Sequence, residues 1–361
     1  MVKNGQGRLN VGGVVGFVYS FTNIDGSSAV TGGLMVEKNG TGTSNIGGFG
    51  GSIGITSTSY TGIIKNNYAD GPVDLATGAG ATGEVSMGGF VGHTIAYLEY
   101  CYATADISAL GRSAIYIGGF AGFMRSGGNA SYCYAMGNVS AIHQGTGNSG
   151  IQAGGFAGYG AVISNCYATG DVFADYTGTG TGSGTTVDIG GLVGIMLSSI
   201  SNSFAKGNVI AQRNNNNANG INAGGIAGYS SGGLSIANSA ALGESITVTN
   251  TRTAAANGRN IGRIFSGNPA ITLTNNYAFN GMKLYSDSRY APRDPAQIPF
   301  DDIADDADSK DGADANLANF RTSAFWTGLG FSEADWIFTG IGTRGYPLLR
   351  GSKNGTVLGG Q

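Results

Sequence analysis

Charge is scarce in this chain. Its 361 residues carry 19 Lys or Arg and 22 Asp or Glu, 11% in all, against about 25% in ordinary soluble domains. The net charge of −3 provides no basic field for nucleic acid. Only two histidines, His93 and His143, are present, without the paired spacing of a zinc site. No apolar run approaches the roughly 20 residues that a membrane helix needs. The opening "MVKNGQGRLN" has no apolar signal-peptide core. Because "LNVGGVVGF" already lies inside a repeat unit, Met1 is expected to mark the edge of a fragment or mature chain. A Walker loop, a His-Glu-x-x-His pair and a Gly-x-Ser-x-Gly elbow in an α/β context are all missing. Hydrophobic residues, at 41%, are not scarce, so a core can be built. The 67 glycines follow no Gly-X-Y period, which excludes collagen.

The glycines recur in a pattern. A Gly-Gly-apolar-x-Gly signature begins at Gly12, Gly47, Gly88, Gly118, Gly154, Gly190 and Gly224, and a degenerate copy, "NIGRIFS", includes Gly262. A second signature follows in each unit: "NNYADGPV", "YCYATADI", "YCYAMGNV", "NCYATGDV", "NSFAKGNV". The spacing between copies is 30–41 residues, the range of repeat architectures. Aligned copies share columns. The residue after Gly-Gly is always apolar, as in Phe49, Phe90, Phe120, Phe156 and Leu192. One column of the second signature is alanine throughout: Ala69, Ala103, Ala135, Ala168, Ala205, Ala241 and Ala278. A small residue held at one depth implies a crowded interior, where a larger side chain would overpack.

Short β-branched and aromatic runs bounded by glycine predict strands, and no unit carries a stripe at helical period. One such unit cannot bury its apolar face alone, but stacked copies can. The predicted fold is therefore all-β, a parallel β-solenoid of about eight repeats over residues 1–280. One coil per unit is favoured, and two short coils remain open. Coils about 4.8 Å apart place like residues above like. Asn66, Asn165, Asn202, Asn238 and Asn275 then form an asparagine ladder interrupted by Tyr100 and Tyr132. Tyr68, Tyr102, Tyr134, Tyr167 and Tyr277 form an aromatic stack with Phe204 in the same place. Glycines are assigned to turns that need positive φ or close backbone approach.

"GGFAGYG…ISNCYATGDV" and "GGLVGIM…ISNSFAKGNV" resemble the GLUG repeat of bacterial surface proteins, over residues 10–280. The ending "FWTGLGFSEADWIFTG…GYPLLR" is similar to the aromatic tail that follows such repeats. The resemblance implies an extracellular or cell-surface scaffold or adhesive module. Some members carry the repeats beside a peptidase domain.

Few residues point to chemistry. Cys101, Cys133 and Cys166 share a column, and a disulfide or metal set competes with a plain stack of small core residues. The stack is expected, since in-register Cβ atoms one coil apart exceed disulfide range. His93 and His143 read as solvated loop residues. Asp106 and Asp171 share a column with Asn138 and Asn208. Two stacked carboxylates could serve glycosidic cleavage, but "TGDV" and "KGNV" are also Gly-Asx turn pairs. No column of Lys, Arg or His accompanies them, so turn chemistry is expected. The sequence thus assigns no catalytic, cofactor-binding or metal-ligating residue.

Residues 281–361 change character, and are expected to form an acidic loop followed by an aromatic C-terminal cap. The acidic stretch 301–314 reads as a calcium site or a solvated loop. Lys310 breaks the ligand register after Asp306 and Asp308, so no cofactor is expected. Leu317, Phe320 and Ala324 fall on one face of a predicted short helix. The aromatic residues after it are expected to cap the solenoid end, which otherwise exposes strand edges. The variable polar spacers at 141–152, 174–188 and 211–222 map to loops, either a binding face or plain linker.

The expected function is a non-catalytic extracellular scaffold or adhesion module. Its partners would be a host or matrix glycan or protein, or a neighbouring coil or subunit at an uncapped N-terminal end. Neither nucleic acid nor membrane insertion is expected. The alternative is a β-solenoid polysaccharide-degrading enzyme, a lyase or glycosidase.

Overall fold

A computed structural model describes the chain except for residues 20–21, 31, 55–61, 181, 183, 215–219, 251–258, 268–269, 289–290, 298–302 and 351–361. Each of the first seven repeat units makes one coil of five short strands, and the last has only a bridge, Ala227 to Phe265, in place of the second. In the fifth coil these are Ile151–Gly154, Ala157–Gly160, Val162–Ser164, Tyr167–Ala168 and Val172–Tyr176. Each pairs in parallel with its counterparts in the coils before and after, which builds five sheets along the axis. We number them sheets 1 to 5 in the order a coil crosses them. The register is that of the sequence columns: Ala168 pairs with Ala135 and Ala205, and Val172 with Val139 and Val209. The chain is a parallel β-solenoid of about eight turns, and the two-coils-per-unit option is set aside.

The two repeated signatures touch each other across the coil. The chain bends from sheet 1 into sheet 2 at the Gly-Gly pair. A Cβ on Gly154 would lie 2.2 Å from the Ala157 carbonyl oxygen. On Gly155 it would meet the Gly191 oxygen at 2.2 Å and the Ala168 methyl at 3.0 Å. The same methyl contact faces Gly48, Gly89, Gly119, Gly191 and Gly225. The alanine column is small because it packs on the glycine column. None of these pairs has positive φ, so their glycines serve close approach alone. The left-handed backbone falls to the asparagine ladder, with φ of 47–59° at its Asn positions and at Tyr100 and Tyr132. Asparagine tolerates this region and tyrosine resists it; the two tyrosine rings stack at 4.9 Å.

Inside the coils, Phe49, Phe90, Phe120 and Phe156 stack at 4.6–4.9 Å and continue into Leu192, Ile226 and Ile264, all fully buried. On the outer side of sheet 4, Tyr68, Tyr102, Tyr134, Tyr167 and Phe204 stack at 4.8–4.9 Å. Ala240 then separates Phe204 from Tyr277.

Three expectations about the tail and the histidines are corrected. The aromatic tail does not cap the end. Trp326, Phe331 and Trp336 pack on Tyr167 and Phe204, on the flank of the stack, and Trp336 Nε1 donates to Asn165 Oδ1. The end is closed by the acidic stretch. Ala313–Ala315 adds a strand to sheet 4 beyond Tyr277–Phe279. The Lys310 carbonyl accepts from the Ile264 and Phe265 amides. Arg263, fully buried, donates to Asp314 and to the Asp311 carbonyl, while its own amide donates to the Asp311 carboxylate. Buried charge demands this degree of pairing. Asp301 and Asp302 lie outside the described residues.

The helical face is also different. Two short helices form, Leu317–Phe320 and Ser323–Gly328, interrupted at Arg321 and Thr322. Leu317 and Ala324 are exposed, and the buried side chains are Phe320, Trp326 and Leu329. Trp326 Nε1 reaches back to the Phe320 carbonyl at 2.8 Å, so the helix break sets the buried face.

Neither histidine is a solvated loop residue. His143 ends the sheet 5 strand Val139–His143, is fully buried and stacks on Tyr176 at 4.5 Å. His93 lies in the sheet 2 strand Val91–Thr94 against Phe123. In the register His143 lies between Tyr176 and Gly111, which has no side chain to compete with the ring for the inward space.

Candidate functional site

The variable spacers fall at one corner. Residues 144–150, 177–186 and 214–220 each join sheet 5 of one coil to sheet 1 of the next. There Asn148, Ser149, Gly150, Gly184, Thr186 and Gly220, among the described spacer residues, wall a groove of about 780 Å³ that runs along the axis. Its floor is the outward column of sheet 1, which includes Tyr116, Gln152, Asp188, Asn222 and Asn260. Tyr159, Ile195 and Tyr229 of sheet 2 line its other side. Tyr116 stands edge-on to Tyr159 at 4.9 Å, and Phe123 stacks on Tyr159 at 4.7 Å.

The floor is a hydrogen-bonded ladder. Asn260 donates to Asn222 Oδ1 at 2.7 Å, and Asn222 to Asp188 Oδ1 at 2.6 Å. Gln152 and the Thr186 hydroxyl both donate to Asp188 Oδ2, at 3.1 and 2.8 Å. Burial pushes the Asp188 carboxyl pKa upward, while these donors and Arg213 pull it back. Burial pushes the Tyr159 phenol up to about 12, with Asp188 and Glu84 adding to the rise. At neutral pH Tyr159 is therefore a neutral donor and acceptor.

His143 holds one wall. Its Nδ1 accepts from the Gly145 amide at 3.3 Å, so the ring proton sits on Nε2, 3.2 Å from Ser149 Oγ. Ser149 lines the groove. Burial lowers the His143 pKa to about 4, which keeps the neutral tautomer that makes both bonds. The guanidinium of Arg213 covers the other side of Tyr176, at 4.8 Å.

The residues singled out in the sequence lie elsewhere. Asp106 and Asp171 sit at the turn before sheet 5. Each carboxylate accepts the amide of the next coil, Asn138 and Asn208 respectively, at 2.7 Å. Asn138 does the same for Asp171 at 2.9 Å. They are rungs of a turn ladder. Asp171 also borders a cleft of about 360 Å³ between the stack and the tail, shared with Lys206, Glu244, Arg344 and Tyr346. Sequence columns missed this grouping because Arg344 and Tyr346 come from outside the repeats.

Cys101, Cys133 and Cys166 are free and buried. Each sulfur lies 3.2–3.3 Å from the carbonyl two residues earlier. Cys133 and Cys166 also accept the amide of the preceding coil, as Ser203, Ser239 and Asn276 do in theirs. The column is thus a hydrogen-bonding position and not apolar filler. Burial raises the Cys133 thiol pKa well above its ordinary value.

In the acidic stretch, Asp305, Asp306 and Asp308 accept the amides of Asp314, Asp308 and Asn275. Among the described residues, no group of three or more His, Cys, Asp or Glu gathers where it could hold a metal ion. Among the described residues, no helix is long and apolar enough to cross a membrane.

The groove went unread, although its signal was present. Residues such as Gln152, Asp188 and Asn222 stand two places before the Gly-Gly pair, polar between two apolar neighbours in copy after copy. That is the alternation of a strand with one outward face.

The chain carries a GLUG motif: the family model for the GLUG motif matches residues 149–172, from Ser149 on the groove wall to the start of sheet 5 in coil five. A solved structure from Bacteroides ovatus, described as a "putative immunoglobulin A1 protease", is similar at a TM-score of 0.49 and 19% identity. The match covers 89% of this chain and 87% of that one. No curated protein sequence matches.

Proposed function

We propose that this GLUG-bearing β-solenoid is a non-catalytic scaffold or adhesion module, exposed outside a bacterial cell, which binds through its faces and spacer loops. The observation that carries the reading is the groove floor: its buried carboxylate, Asp188, already accepts three side-chain donors. A group so saturated is poorly placed to shuttle protons, because a catalytic base must reach the proton it abstracts. It is well placed to hold amides in fixed orientation. Val14 of the first coil, exposed where its column-mates Phe49 and Phe90 are buried, supports a second contact with a neighbouring coil or subunit.

A polysaccharide-cleaving enzyme is the competing reading, and the cleft between stack and tail favours it. There Asp171 and Glu244 meet Lys206, Arg344 and Tyr346, a mixture that could bind an acidic sugar and remove a proton. The two readings separate in one experiment. The chain is incubated with a panel of glycans, polysaccharides and matrix proteins, and both retention and the release of reducing or unsaturated ends are measured. Retention without turnover is expected. Turnover that disappears in Asp171→Asn or Lys206→Met would establish the enzyme instead.

A further inference from the structure

We infer that the sheet 1 groove binds an extended, uncharged oligosaccharide lying along the solenoid axis; this rests on the binding-module reading and assigns it a site and a ligand class. Three features of the groove select the ligand. The first is its chemistry. Amides from Gln152, Asn222 and Asn260 face phenols from Tyr116, Tyr159 and Tyr229, a set that offers both donors and acceptors beside apolar ring surface. Hydroxyl-rich chains with apolar ring faces match that mixture.

The second is charge. Among the described residues, the lining includes Glu84 and Asp188 and no Lys or Arg. A phosphate backbone needs cations, and a uronate or sulfated glycan would meet like charge. Uncharged chains incur neither cost.

The third is the repeat length. Successive coils, about 4.8 Å apart, present the same pair of columns, with Tyr159, Ile195 and Tyr229 in register beside the floor. An extended glycan advances by about this distance per sugar, so one sugar can meet one coil. An extended peptide advances about 3.3 Å per residue, or about 6.6 Å for residues on one face, and falls out of step with the coils. The ladder is also oriented in advance. Asn260 and Gln152 each commit an amide N–H to Asn222 and Asp188, which fixes how their side chains stand along the floor. A site ordered before binding avoids the entropic cost of ordering it.

The test is calorimetric titration of the full chain with three probes: neutral gluco- and N-acetylglucosamine oligosaccharides, an oligogalacturonate of equal length, and an extended neutral peptide. Neutral oligosaccharide should bind with little dependence on salt, and the other two should not. Tyr159→Ala and Tyr229→Ala should each weaken binding by about tenfold or more. Phe173→Ala, on the outer face of sheet 5, should leave it unchanged. Melting curves check that each variant is folded, and Asn260→Ala, at the ladder's end, is the milder probe if a tyrosine variant is not. The inference is overturned if no neutral oligosaccharide binds, if the oligogalacturonate or the peptide binds more tightly, or if binding survives the groove variants. Survival in those variants would move the site while leaving the binding-module reading intact. Turnover of a polysaccharide would remove that reading instead.

Discussion

His143 is a base that the fold holds neutral. Its ring is fully buried, stacks on Tyr176 and faces Ser149, with the Arg213 guanidinium beyond the tyrosine. Protonating Nδ1 would break its bond to the Gly145 amide and bury a cation near another. The pKa is accordingly lowered to about 4, against about 6.5 in an unfolded chain. The sign follows from linkage. Above about pH 6.5 both states are neutral and the stability is intact; as pH falls toward 4 the unfolded chain takes the proton first, and stability is lost. For this residue the loss is of order 3 kcal/mol. Asp188, with its pKa raised, acts in the opposite direction at lower pH, so the readout is a difference. Urea midpoints at about pH 7 and about pH 4 should differ less in His143→Phe than in the wild type. Equal pH sensitivity in the two proteins would show that the buried ring does not carry the effect.

Between elements, the decisive contact is the one joining the Gly-Gly bend to the alanine column. A Cβ on Gly155 meets a carbonyl oxygen of the next coil at 2.2 Å, a backbone atom that cannot swing aside. Leucine at 168 would push on Gly155 from the opposite side of the same coil. Gly155→Ala and Ala168→Leu should each destabilise by about 1–3 kcal/mol or more. The exposed spacer change Asn214→Ala should stay within about 0.5 kcal/mol. Denaturant midpoints compare the three, and similar shifts would mean that the column is not tightly packed. The same contact explains why the two signatures recur together: each is the other's packing partner.

At the scale of the whole molecule, the tail shields a flank and the acidic segment closes an end. The tail buries Trp326, Phe331 and Trp336 against the aromatic stack of sheet 4. Deleting residues 316–350 should leave the coils stacked, because Arg263, Asp311 and the strand Ala313–Ala315 still close the last coil. It should expose Tyr134, Tyr167 and Phe204 as one apolar strip, the kind of patch that drives association. Far-UV circular dichroism should keep its β signal while dye binding and self-association rise. Loss of the β signal would mean that the tail holds the coils together. Removing the closing contact instead, with Arg263→Ala, should loosen the C-terminal coil, since it takes the guanidinium donor from the Asp311, Ala304 and Gly312 carbonyls and from the Asp314 carboxylate.

The sequence by itself determined the solenoid, the one-residue register of its columns and the interior place of Ala168, because a repeat reports every neighbour contact once per copy. Periodicity reveals only what every coil shares. The capping role of the acidic stretch, the flank position of the tail and the burial of His143 each arise once, from contacts between segments far apart in the chain. Lys310 meeting Ile264, or Trp336 meeting Asn165, has no local signature. The groove stands between these cases. Its floor was written in the polar positions before each Gly-Gly pair, but a polar residue on a strand reads the same whether it faces open water or a wall. Only the tertiary structure, by bringing the spacers and the rings of sheet 2 around Asp188, decided which of the two it was.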